Sequence, residues 1–340
     1  MKNKKILASA ALIVILIIFF ISWKFFGPAL STSQGDFLYI KTGSDLTAVK
    51  KELLDKKMIS STTWFNWASR LLHYENIKPG RYKISKGMSL VTFIRMLKNG
   101  NQVPVNLVIT KLRTPEDLAK KIGAMFECDS SQMIGFMKNP DSLRSFGVDS
   151  NTVMAVVMPY TYSIRWNTTP KKLFQNFIIA FKNFWTDERK QKADSIHLTP
   201  VQVSTLASII EEETNNKNDK PVIASVYLNR LAIGMPLQAD PTIKYAMKDF
   251  KLKRIYHAFL NVASPYNTYS NKGLPPGPIC TPSIETIDAV LNAPKTSYLY
   301  FVASSNFDGS SVFSSTLSQH LKNAKAYQQA LDKLDSPNNK

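Results

Sequence analysis

Glu213 closes the run Leu206, Ile209, Ile210, Glu213, whose i, i+3, i+4, i+7 spacing puts all four residues on one helix face. A carboxyl group held against apolar neighbours loses hydration, which disfavours its ionised form and raises its pKa. Kept protonated near neutral pH, such a glutamic acid can donate a proton, so residue type and setting together point to general acid catalysis. On the stripe alone two other readings stand beside this one: a solvated helix end, or a structural partner of Arg230. Glu211 is two residues away, which turns it about 200° from Glu213 around an intact helix.

The stretch from Leu206 to Gly277 is dense in polar and turn-forming residues: Asn229-Arg230-Leu231, Leu237-Gln238-Ala239-Asp240-Pro241-Thr242, Tyr266-Asn267-Thr268-Tyr269 and Gly273-Leu274-Pro275-Pro276-Gly277. Pro and Gly fix turns, while Asn, Gln, Tyr and Thr offer the neutral donors and acceptors that sugar hydroxyl and acetamido groups require. Any one of these runs, taken singly, reads better as an ordinary loop. Grouped around one candidate acid, they predict a carbohydrate cleft in which Glu211, Asn229, Arg230, Gln238, Asp240, Tyr266, Asn267, Thr268 and Tyr269 position substrate. Asp240 has two candidate roles, as a second carboxylate or as a turn-holding group that also bonds sugar.

The elements that must carry this cleft begin with an anchor. Ile6 to Trp23 contains no charge and is rich in Ile, Leu, Val and Phe, close to the ~20 residues that a membrane-spanning helix needs. Aromatic residues follow it where a signal peptidase site would have small ones. Lys2, Lys4 and Lys5 precede the span and Lys24 follows, which predicts a single-pass helix in the cytoplasmic membrane with the N-terminus in the cytoplasm and the rest outside. A formal net charge of +18 favours an anionic partner; the topology argues against nucleic acid in favour of lipid headgroups or wall polymer, and because the lysines are scattered, a generally solvated basic surface is an equal reading. Cys128 and Cys280 are the only cysteines, and together with four scattered histidines they give no metal-ligand spacing. No metal and no cofactor are expected.

Residues 24–36 read as a linker. Two similar pieces follow, Leu38, Ile40, Gly43, Asp45, Leu46 and Tyr82, Ile84, Gly87, Ser89, Leu90, each a strand, a glycine turn, a capping residue and an amphipathic helix. The fold class predicted is α+β: a transmembrane helix over 1–23, a small α+β module over 37–104, a larger mixed α+β domain over 105–335 and a loose tail at 336–340. In the larger domain Thr114-Pro115-Glu116-Asp117 opens a helix, and Leu173, Phe174, Phe177, Ile178, Phe181 and Phe184 form an aromatic core stripe.

The pattern spelled by Tyr82, Ile84, Gly87, Ser89 and Leu90 resembles the opening of LysM modules, which bind N-acetylglucosamine-containing glycans. Across the larger domain, Ala207-Ser208-Ile209-Ile210-Glu211-x-Glu213-Thr214, Asn229-Arg230-Leu231 through Thr242, Tyr266 to Tyr269 and Gly273 to Ile279, in that order, resemble the endolytic murein transglycosylases of the MltG (YceG-like) family. The resemblance implies cleavage of the β-1,4 bond from N-acetylmuramic acid to N-acetylglucosamine within peptidoglycan strands, with a 1,6-anhydro end formed. It also implies that Glu213 is the catalytic acid and that cell-wall synthases are partners. A non-catalytic glycan-binding scaffold of wall synthesis is the alternative. Three positions depart from the family pattern: Met154 and Tyr160 replace acidic residues, and Ser311 replaces a histidine.

Overall fold

The computed structural model describes residues 2–32, 35–252 and 254–335; the 336–340 tail lies outside them. In chain order the elements are α1 (Lys2–Phe26), β1 (Phe37–Ile40), α2 (Leu46–Asp55), α3 (Thr63–Leu71), β2 (Gly80–Lys83), α4 (Leu90–Asn99), β3 (Val105–Val108), α5 (Pro115–Met125), α6 (Ser130–Lys138), α7 (Pro140–Arg144), β4 (Thr161–Ile164), α8 (Pro170–Phe184), α9 (Asp187–Ser195), α10 (Pro200–Glu213), α11 (Asp219–Ala232), α12 (Asp240–Met247), α13 (Ile284–Leu291), β5 (Tyr300–Ala303), β6 (Ser311–Ser314) and α14 (Leu317–Asp335). The strands pair as β1–β2, β3–β4 and β5–β6, three separate two-stranded sheets, so the fold is mixed α+β.

The chain divides into two compact units. The first holds residues 1–107 with 125–128 and 163–169; the second holds 108–124, 129–162 and 170–340. In the first unit β1 and β2 run antiparallel, with Leu38 opposite Tyr82. The repeated pattern has a shared physical basis. Gly43 and Gly87 both take positive φ, 82° and 77°, after which Asp45 and Ser89 accept the amides of Ala48 and Thr92 and so start α2 and α4. Each such cap stabilises its helix by about 1 kcal/mol.

The segment expected to be a tether is partly docked. Leu30 is buried, the amides of Ala29 and Leu30 both donate to the Met88 carbonyl, and Ser31 donates to that of Met58. Leu30 is the one large apolar side chain between Pro28 and Asp36, and burying it folds the backbone beside it onto the unit. Within α1, Lys4–Phe26 is long and apolar enough to cross a membrane, and its apolar window is unburied.

The second unit is built around α10. Thr199 and Gln202 form a reciprocal capping box, Pro200 occupies the first turn, and every residue from Val203 to Ile210 is buried. Leu206, Ile209 and Ile210 pack with Ile223, Ala224 and Tyr227 of α11, with Ile287, Val290 and Leu291 of α13, and with Leu237 and Ala239. Burial on all sides, rather than along one stripe, makes α10 the central rod of this unit. It stops at Glu213 because Thr214 turns to extended backbone, φ −147° and ψ 144°, and the polar run after it folds on its own side chains, Thr214 accepting from the Asn216 amide and Asn216 from that of Asn218. Gly277 packs so closely that any side chain there would collide with the Asn151 carbonyl.

Candidate active site

Glu213 stands at the C-terminal end of α10, where its partly buried side chain lines the clefts beside the core. Its Oε1 accepts the Tyr227 hydroxyl at 2.8 Å. Burial pushes the carboxyl up to about 7; the Tyr227 hydrogen bond pulls the other way, nearby Asp240 adds to the rise, and Lys244 and Arg230 oppose it. A helix C-terminus carries negative partial charge, which also favours the neutral acid. Tyr227 is itself pushed well up by burial and by the Glu213 charge, so it stays a donor.

Two clefts meet at this carboxyl. One, of about 310 Å³, is lined by Glu213, Tyr227, Arg230, Gln238, Asp240, Tyr269, Phe301 and His320. The other, of about 440 Å³, runs from Glu213 and Thr214 past Phe301 and Ser304 to Phe307, Ser310, Ser311 and Tyr327. Each falls in the ~300–1,000 Å³ range of small-molecule sites, and Glu213 and Phe301 belong to both. The arrangement is a groove with its acid in the middle rather than a closed pocket with an acid at its floor.

The residues singled out from sequence separate into those on the groove and those that build it. Arg230, Gln238, Asp240 and Tyr269 line the groove with Glu213. Asp240, at the start of α12, accepts the Tyr269 hydroxyl at 2.5 Å. Gln238 holds a left-handed backbone, φ 51°, between buried Leu237 and Ala239, a strained conformation that the surrounding loop must enforce. Thr268 does this: its carbonyl accepts the Gln238 amide at 3.0 Å and its hydroxyl accepts the Ala239 amide at 3.0 Å. Asn267 is fully buried, donating to the carbonyls of Leu260 and Val262 and accepting the amides of Tyr269 and Ser270. Tyr266 packs its ring on Tyr245, 4.7 Å between centroids. These three shape the loop that carries Tyr269.

Asn229 and Glu211 are placed differently from expectation. Asn229 donates to the carbonyls of Thr296 and Tyr298, both at 2.9 Å, tying α11 to the approach of β5. Glu211 points away from Glu213, as their helical offset requires. It accepts from Lys220 at 3.1 Å, from Ser283 at 2.9 Å and from Thr286, and these donors hold its pKa below the usual carboxylate value against the opposing effect of burial. The ion-pair partner of Glu211 is therefore Lys220. Arg230 is fixed by backbone, its Nε on the Leu299 carbonyl at 2.7 Å and an Nη on that of Leu237 at 2.6 Å. Neither the Asn229 nor the Glu211 side chain lines the groove.

Tyr227, Phe301 and His320 line the site without having been singled out. Tyr227 had a sequence signal: it precedes Arg230 by three on α11 and so shares its face. His320 lies on α14, stacked on Tyr300 at 5.3 Å, and burial and Arg230 lower its pKa. Of the three departures from the family pattern, Ser311 lines the larger cleft, Met154 is buried and Tyr160 is exposed beside Tyr162. Cys128 and Cys280 are buried thiols that are not bridged. Among the described residues no three His, Cys, Asp or Glu side chains converge as a metal site.

Comparison with known proteins agrees with this architecture. The chain is 30% identical over 303 residues to the endolytic murein transglycosylase of Bacillus subtilis (strain 168), covering 85% of this chain and 83% of that protein. It is also 30% identical over 297 residues to the endolytic murein transglycosylase of Streptococcus pneumoniae (strain D39), where it spans 53% of the relative's length. The crystal structure of a YceG-like protein from Listeria monocytogenes superimposes with a TM-score of 0.57 at 30% identity, over 84% of this chain and 97% of that one. The profile of the YceG-like family matches residues 38–326. With sequence, fold and profile agreeing over more than three quarters of its length, the chain belongs to the YceG-like family.

Proposed function

We propose that this protein is a lytic transglycosylase of peptidoglycan, anchored by α1 in the cytoplasmic membrane with its N-terminus inside and both units outside. It cuts the β-1,4 bond from N-acetylmuramic acid to N-acetylglucosamine within nascent strands and leaves a 1,6-anhydro end, so terminating or trimming them. The observation that carries this reading is a carboxyl raised to about 7 at the meeting point of two clefts. A strand lying along both clefts presents an internal bond to Glu213, which favours endolytic action. The names of the Bacillus and Streptococcus relatives support the same reaction class.

In the proposed reaction Glu213 gives its proton to the leaving glycosidic oxygen as the bond from the muramyl C1 breaks. The resulting carboxylate then takes the proton of the muramyl C6 hydroxyl, whose oxygen closes onto C1. No water is consumed and Glu213 ends protonated, so one carboxyl group serves both steps. Ordinary glycosidases use two carboxyl groups flanking the bond, and Glu211 is bound elsewhere. Tyr227 holds the carboxyl in position and stabilises its charged form, while Arg230, Gln238, Asp240 and Tyr269 orient the sugars on one side and the serines of the larger cleft do so on the other. The first unit, with its LysM-like repeat, follows the anchor in the chain and precedes the cleft-bearing residues, and wall synthases at the same membrane are expected neighbours.

Full-length protein mixed with isolated wall glycan tests this reading by product mass spectrometry. Wild type is expected to release anhydro-ended fragments and Glu213→Gln to release none while still binding glycan. Products with reducing ends, or undiminished release by the variant, would overturn the mechanism.

A further inference from the structure

Helix α3 is apolar on two sides. Phe65 and Ala68 pack into the core of the first unit, yet Trp67 and Leu71 on another side are 60% and 67% exposed. A surface helix facing water carries polar residues there. Its position beside α1 gives those side chains a destination. Trp64 meets the rings of Phe20 and Phe25 edge-on, each at 6.0 Å, and Trp67 lies 6.2 Å from Trp64. At about 1.5 Å per residue, the uncharged α1 segment from Ile6 to Trp23 extends about 27 Å, close to the thickness of a hydrocarbon core. Phe20, about three residues before the end of that segment, therefore lies within the outer edge of the bilayer, and the side chains packed against it are carried to the same level.

Resting on the reading of α1 as a transmembrane anchor, we propose that α3 is a second membrane contact, with Trp64, Trp67 and Leu71 seated in the boundary between headgroups and acyl chains of the outer leaflet. Indole rings suit that boundary, being apolar with one N–H donor. Lys24, whose ammonium sits 5.3 Å over the Phe20 ring, meets the phosphates at that level. The occupant of the exposed face is lipid because α1 already fixes its depth. Held at two points, the first unit cannot swivel freely about the end of α1.

Site-directed spin labelling of the full chain tests the proposal. Leu71→Cys, and separately Trp67→Cys, are labelled after reconstitution into phosphatidylcholine–phosphatidylglycerol vesicles, with unsubstituted protein correcting for any reaction of the buried thiols. Vesicle flotation reports insertion of α1, and power saturation compares collisions of the label with oxygen and with a water-soluble nickel chelate. Inserted protein whose labels at both sites favour oxygen supports the contact. Inserted protein whose labels favour nickel overturns it and leaves the anchor reading intact, as does dipolar broadening that reveals a second copy of the chain on this face. Failure to float removes the anchor reading and the contact with it.

Discussion

The hydrogen bond from Tyr227 to Glu213 gives the mechanism a quantitative test. Tyr227→Phe deletes one hydroxyl and keeps the ring, which packs edge-on against Phe301 at 5.9 Å. The deleted donor favours the charged carboxylate and thereby lowers the Glu213 pKa; without it the pKa rises above its value of about 7. Hydrogen bonds to charged groups contribute about 1.5–3 kcal/mol, and about 1.4 kcal/mol corresponds to one pH unit. Lys244 and Arg230 still attract the carboxylate, so the lower end applies and the rise is about one unit. Because bond cleavage needs the protonated acid, the rate falls as pH increases through this pKa. The alkaline limb of the pH–rate profile should therefore move up by about one unit in the variant, measured as initial release of anhydro-ended fragments between about pH 5 and pH 9. A limb that stays in place or moves down would refute the assignment of Glu213 as the acid and of Tyr227 as its donor.

Glu213→Gln should stabilise the fold at high pH. The folded pKa lies above the unfolded value of 4.5, so the folded state binds the extra proton between them and wild type loses stability as pH rises from 4.5 to about 7. At pH 8 the variant should gain up to about 3 kcal/mol, read as a higher Tm in thermal unfolding, with almost no gain at pH 4.5. Glu211→Ala leaves the ammonium of Lys220, buried with Thr286, without its anion; a loss of about 3 kcal/mol is expected in denaturant unfolding, with the pH profile of the remaining activity unchanged. Asn267→Ala leaves the Leu260 and Val262 carbonyls without their donor, and should destabilise by about 1–3 kcal/mol while raising KM more than it lowers kcat, because the loop that carries Tyr269 loosens.

What could be read before folding followed the range of each interaction. The start of α10 is local chemistry, Thr199-Pro200-x-Gln202 spelling its cap, and its apolar run leads directly to Glu213. The pairing of Gly43 with Asp45 and of Gly87 with Ser89 was equally local. Asn267 and Thr268 look like sugar-binding residues because they are polar, and only three-dimensional packing turns them inward to loop carbonyls and amides. Asn229 has the same history, since its acceptors lie 67 and 69 residues away. Glu211 illustrates the limit of charge pairing by sequence: Lys220 and Arg230 both lie downstream on α11, and the packing of α13 against α10 selects the former by bringing Ser283 and Thr286 alongside. Phe301 and His320 carried no such signal, because β5 and α14 reach the groove only through tertiary packing.

The burial of α10 along more than half of its length has an evolutionary corollary. The acid's coordinates are set by how Ile287, Val290 and Ile223 seat the rod, so volume changes deep in the hydrophobic interior translate into displacement of the proton donor. Selection for turnover therefore acts on residues that never meet a sugar. Repacked sequences that remain folded, and would pass any test of thermal endurance, should still be purged for slow chemistry.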